Sequence, residues 1–124
     1  MYKRVNYTDV EPVCGGMYSL GKPLESETLG ATIIHCDPEW NGIPHDHQDD
    51  RHEEIYVLID GRATVVVGDE RIQMEAGDVI RIPPDATRQI RNGSDKSLFV
   101  LISAPVTSEI NDQSIEWLTD SFIG

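Results

Sequence analysis

From Thr28 onward the chain breaks into short apolar or alternating runs, rich in β-branched residues and separated by turn-forming pairs. No window before residue 107 sustains a 3.6-residue period, so alternating strands and helices with a parallel sheet are excluded. The pattern predicts an all-β fold with candidate strands at 29–36, 53–59, 63–67, 71–74, 79–82, 87–91 and 98–103. Between them stand Asp60-Gly61, Gly68-Asp69, Ala76-Gly77, Pro83-Pro84 and Asn92-Gly93, pairs that tolerate positive φ or preset a turn. Most connections are therefore expected to be tight hairpins.

With 124 residues the chain makes one domain. Residues 1–27 read as an N-terminal arm with short strands, 28–104 as the barrel core and 105–124 as a C-terminal segment. In that last segment Ser114 is placed to cap a short helix carrying Trp117. Acidic residues outnumber basic ones 22 to 10, for a formal charge of −12. Such a surface repels phosphate backbones and anionic lipid, so neither nucleic acid nor membrane is an expected partner. The scarcity of lysine resembles proteins of salt-loving organisms, although an ordinary acidic protein fits equally well. No run approaches the roughly 18 to 20 apolar residues of a membrane span, and Met1 to Val10 lacks a signal-peptide core, so the expected location is the cytoplasm. Cys14 and Cys36 form no metal-binding spacing and read as reduced structural thiols.

All four histidines fall between residues 35 and 52. On an extended strand, the period of two puts His45 and His47 on one face, close enough to share an ion. Glu54, which opens the next strand region, can complete a set of two histidines and one carboxylate. That set suits Fe(II), Mn(II), Ni(II) or Zn(II) and leaves positions open for substrate. The competing reading is a solvated acidic loop in which histidines accompany Asp46, Asp49 and Asp50.

Six residues follow Glu54 before Gly61, fifteen more precede Gly77, and Pro83 lies six beyond it. Together with His45-Asp46-His47, this order resembles the two motifs of the cupin superfamily, over about residues 28–104. The resemblance implies a double-stranded β-helix, or jelly-roll, barrel with a metal or ligand site inside, and a homodimer. Two departures bear on function. Six residues separate His47 from Glu54, where the family has three or four. Either the loop is lengthened by Asp49, Asp50 and Arg51, or the register shifts so that His47 and Asp49 take the histidine positions. The lengthened loop is the preferred reading, since it keeps both imidazoles and costs little closure entropy. His52 is a reserve ligand, expected to point away from Glu54 because it neighbours Glu53.

The second departure is at the position of the second motif's metal-binding histidine, which is Arg88. A guanidinium stays protonated and cannot ligate a cation. About 5 Å from a divalent ion, at an effective dielectric near 20, its repulsion is roughly 6 to 7 kcal/mol before any anion offsets it. The usual four-ligand site is excluded. What remains is a three-ligand site with Arg88 aimed at a substrate anion, or no metal at all.

If Glu54 faces inward, Tyr56 and Leu58 share its face, and Arg88 shares one with Ile90 and Asn92. With Phe99 these make an apolar pocket in which Arg88, Tyr56 and Asn92 are the candidate ligand-binding groups, although Leu58 and Ile90 read better as core. Trp40 is expected to shield the barrel mouth, and His35 to be structural. The outward face of Ile55, Val57 and Ile59 is too apolar to remain in water and needs a second sheet or subunit over it. Three functions follow. One is a metal-dependent enzyme acting on a small oxygenated, anionic compound by dioxygenase or by isomerase or lyase chemistry, with one divalent ion per chain. In that case Glu53, Tyr56 or His52 could lend acid or base help. The second is a non-catalytic small-molecule binder gripped by Arg88 without metal. The third is a barrel packed shut.

Overall fold

The computed structural model describes residues 1–106; the helix expected near Ser114 lies outside the described residues. A short 3-10 turn at Tyr7–Asp9 precedes eight strands: β1 (Met17–Ser19), β2 (Gly30–Cys36), β3 (His52–Asp60), β4 (Arg62–Val67), β5 (Glu70–Glu75), β6 (Val79–Ile82), β7 (Arg88–Asn92) and β8 (Ser97–Pro105). They form a five-stranded sheet in the order β1-β2-β8-β3-β6 and a three-stranded sheet in the order β5-β4-β7, with every pairing antiparallel. No described helix is long and apolar enough to cross a membrane.

Alternation builds the core. Tyr56 and Leu58 of β3, Phe99 and Leu101 of β8, and Ile34 and Cys36 of β2 turn inward from the larger sheet. They meet Val65 of β4, Met74 of β5 and Ile90 of β7 from the smaller one. Each such side chain contributes roughly 1.5–3 kcal/mol on burial. Burial also raises the Cys36 thiol above its ordinary pKa, consistent with an unreactive core residue. Cys14 is free and exposed.

The expectation of mostly tight hairpins is corrected. Only β4 and β5 are joined by one, through Gly68 and Asp69; the turns after β3, β5 and β7 carry the chain from one sheet to the other. Turn residues mark where a strand ends, and a corner between sheets uses the same residues as a hairpin. The corner at Gly61 shows why. Its φ is +85°, and a Cβ there would run into the carbonyl oxygen of Lys96. Gly61→Ala is accordingly expected to destabilise the fold by about 2 kcal/mol or more in urea titration. An unchanged midpoint would show that this corner shifts freely.

The outer face of the larger sheet stays apolar. Ile55 pairs with Ile102 across β3 and β8, and both are exposed, as are Ile59 and Val79.

Candidate metal and ligand site

The segment from Trp40 to His47 is not a regular strand, yet it runs along β7. Asn92 N–H donates to the Trp40 carbonyl, and Gly42 N–H to that of Ile90. His45 and Arg88 exchange both backbone hydrogen bonds, at 3.1 and 2.8 Å. Three residues from Gly42 to His45 thus pass opposite two on β7, and Pro44, which has no N–H, sits in the irregular stretch. The His45–Arg88 pairing places the histidine segment beside β7. β3 brings Glu54 from the other sheet.

His45, His47 and Glu54 converge, with one ligand atom from each lying within 4.8 Å of the others. The lengthened loop is the arrangement found; Asp49 is exposed and stands outside this group. The inserted residues also orient a ring. Arg51 adopts a positive φ of 57° and donates its N–H to the His47 carbonyl, closing a turn that sets the Asp50 carboxylate 3.0–3.1 Å from His47 Nδ1. That hydrogen bond holds the Asp50 carboxyl below its usual pKa. His45 Nδ1 is 2.9 Å from the Ile43 carbonyl, which can only accept. Each Nδ1 thus has an acceptor beside it, which leaves Nε2 as the atom each ring can turn to an ion. The two Nε2 atoms face Glu54 Oε1, at 3.8 Å from His45 and 3.3 Å from His47. His47 Nε2 is buried and has no hydrogen-bond partner.

This donor set fits a divalent cation. Two imidazole nitrogens and a carboxylate oxygen converge, which is the ligand set that divalent transition metals take. Second partners on each Nδ1 fix the rings as metal-ligating histidines require.

Glu54 has two further partners. Arg88, fully buried, donates from Nη1 to Glu54 Oε1 at 2.9 Å and from Nη2 to the Pro83 carbonyl. Tyr56 OH donates to the same Oε1 at 3.3 Å. Burial first, and the nearby Glu54 second, push the Tyr56 phenol far above its usual range, so it stays protonated.

Three sequence expectations change here. Arg88 is not in the wall of the adjoining cavity; its guanidinium is enclosed, with Nη1 on Glu54, Nη2 on the Pro83 carbonyl and Nε buried without a partner, so in this structure it serves as the partner of Glu54. The amide of Asn92 is occupied within the protein: its Nδ2 donates to the carbonyls of Cys36, Asp37 and Asp95, and its Oδ1 accepts from Ser97, which ties the end of β2 to the turn between β7 and β8. His52 turns to the side of the site and not away from it, because positions 52 and 54 share a strand face. Its ring centroid is 6.0 Å from that of His47, but it stands outside the converging group.

A cavity of about 380 Å³ opens beside the site, with His45 and Tyr56 in its wall. Trp40 and Ile90 line it, Ile90 while also belonging to the core, and Leu58 and Phe99 are packed core. Sequence reasoning missed Asp50, Cys14 and Met17. An acid three residues after a histidine was a usable signal for Asp50. Nothing local marks Cys14 and Met17, which the N-terminal arm brings to the cavity by pairing β1 with β2.

The profile of the cupin domain family matches residues 32–104. A curated relative, an uncharacterized protein of Methanocaldococcus jannaschii, is 33% identical over 55 residues, 44% of each chain, so the match spans under half the length of that relative. Among solved structures, a cupin protein from Bacteroides fragilis superposes with a TM-score of 0.72 at 28% identity over 89% of both chains. A sugar phosphate isomerase of the cupin superfamily from Silicibacter pomeroyi gives 0.67 at 18% identity, over 83% of this chain and 76% of that one, a likeness of fold. Nothing in these likenesses supports the salt-loving source that the acidic composition suggested, and that reading is dropped.

Proposed function

The chain belongs to the cupin domain family, and from that premise we propose that it is a metal-dependent cupin acting on a small oxygenated organic compound. His45, His47 and Glu54 would hold one divalent transition metal, Fe, Mn, Ni or Zn. The observation that carries this reading is the convergence of His45, His47 and Glu54, with the buried Nε2 of His47 3.3 Å from Glu54 Oε1. A bound ion of this kind supplies Lewis acidity or, as iron, dioxygen chemistry. The chain's own groups do the positioning. Asp50 and the Ile43 carbonyl fix the two imidazoles, and Arg88 balances the charge of Glu54 in a buried setting. Tyr56, held protonated, presents a hydroxyl between Glu54 and the cavity wall. Elemental analysis of anaerobically purified protein tests the reading: about one transition-metal ion per chain is expected. A chain that stays metal-free after reconstitution overturns it.

The same proposal includes a homodimer formed through the outer face of the larger sheet. The facing Ile55 and Ile102, 37% and 42% exposed beside Val79, support it, since a contiguous apolar face is unfavourable in water. Ile102→Asp is expected to shift the mass seen by light scattering from the dimer to the 13.9 kDa chain. A wild-type protein already at that mass would remove the dimer.

A further inference from the structure

The cavity beside the histidines is built for something other than a sugar. Its wall is almost wholly apolar, with Met17, Ile34, Trp40, Ile43, Ile90 and Leu101 making most of it. The polar groups in that wall are largely occupied by the protein. The Trp40 indole N–H donates to the Cys14 carbonyl at 3.0 Å, and the Gln89 carboxamide donates to the Gly42 carbonyl at 2.9 Å. No lysine or arginine lines it among the described residues. Asn41 at the exposed rim is the remaining polar side chain of that wall, besides His45 and Tyr56, so a phosphate or a run of hydroxyls entering here would lose more hydration than these few groups, with no cation among them, could return. His45 and Tyr56 are different. Both lie in the wall and both reach Glu54, at 3.8 and 3.3 Å, so the oxygen-binding end of the cavity is the end that adjoins the histidine–carboxylate group.

We infer that the cavity takes a compound with one compact apolar body, an aromatic ring or a branched chain, carrying its oxygens at a single end directed at His45 and Tyr56. A cavity of about 150 Å³ holds benzene. The 380 Å³ here admits a substituted ring with its oxygenated head. The placement of the head rests on the proposed metal site; the apolar body does not, because its walls belong to β1, β2, β7, β8 and the 40–43 stretch.

The test is calorimetric titration of the purified chain, metal-loaded and metal-free, with phenylpyruvate, pyruvate and ribose 5-phosphate. Phenylpyruvate and pyruvate share one oxygenated head and differ by the ring. Phenylpyruvate is expected to bind about tenfold or more tightly than pyruvate in both states of the protein. Ribose 5-phosphate should be the weakest, and Ile43→Asp, an exposed position at the cavity wall, should abolish the advantage of the ring. A ring advantage with no gain from metal would keep the apolar body and overturn the placement of the oxygenated head at the metal site. A gain from metal with no ring advantage would do the reverse. Failure of phenylpyruvate to bind, or ribose 5-phosphate binding as tightly, overturns the inference.

Discussion

Replacing His45 and His47 together with alanine is expected to strip the protein of its transition metal while leaving the barrel folded. Both rings sit on a segment outside the regular strands, and His45 is exposed, so neither deletion opens the core. The backbone pairing of His45 with Arg88 does not involve the imidazole and survives the change. The cost falls on the ion. Glu54 alone, already engaged with Arg88 and Tyr56, is a poor site for a divalent cation. Metal affinity should fall by more than about a hundredfold, since even partners one step removed from a metal change affinity by 10- to 100-fold. Asp50→Ala supplies that smaller step: His47 keeps its Nε2 but loses the carboxylate that orients the ring. Metal-to-protein ratios by mass spectrometry, with circular dichroism to verify folding, give the comparison. A double variant that retains the ion would place the metal elsewhere and refute the site.

How far the sequence foretold these features depended on whether they were local. Strand 79–82 was read to the residue, and the inward turn of Glu54, Tyr56 and Ile90 followed from alternation, because the period of a strand is written in adjacent residues. His45, His47 and Glu54 were readable for a similar reason, being residues whose chemistry is specific even where their backbone is irregular. Most of the differences involve distant partners. Asn92 looked like a pocket group because parity put it beside Arg88, but its amide meets three carbonyls, those of Cys36 and Asp37 more than 50 positions away. Cys14 and Met17 reach the cavity only because β1 pairs with β2. The sheet-crossing corner at Gly61 is set by its approach to Lys96, 35 positions on. For His52 the deciding signal is local: it shares the strand face of Glu54, and that parity outweighs its adjacency to Glu53.

Arg88 carries the second large expectation. The resemblance to cupins assigns its position to a metal-binding histidine, and the structure fills it with a guanidinium 2.9 Å from the carboxylate of the proposed metal site. Both partners are buried, Arg88 completely and Glu54 to within 7%. Removing one member of such a pair leaves the other charge without compensation, so Arg88→Met should destabilise the metal-free protein by roughly 3–5 kcal/mol in urea unfolding. Pairing it with Glu54→Gln should recover much of that loss, because the uncompensated charge is then gone as well. Arg88→His separates stability from metal affinity. It costs the metal-free protein the same ion pair, yet it removes a positive charge from beside the proposed cation and puts an imidazole in its place. Added Zn(II) should therefore raise the unfolding temperature of Arg88→His well beyond its effect on the wild type, through tighter binding to the native state alone. Equal shifts in the two proteins would mean that the guanidinium neither opposes the ion nor occupies a ligand's place. A stable, wild-type-like Arg88→Met would show that the pair with Glu54 contributes nothing to the fold.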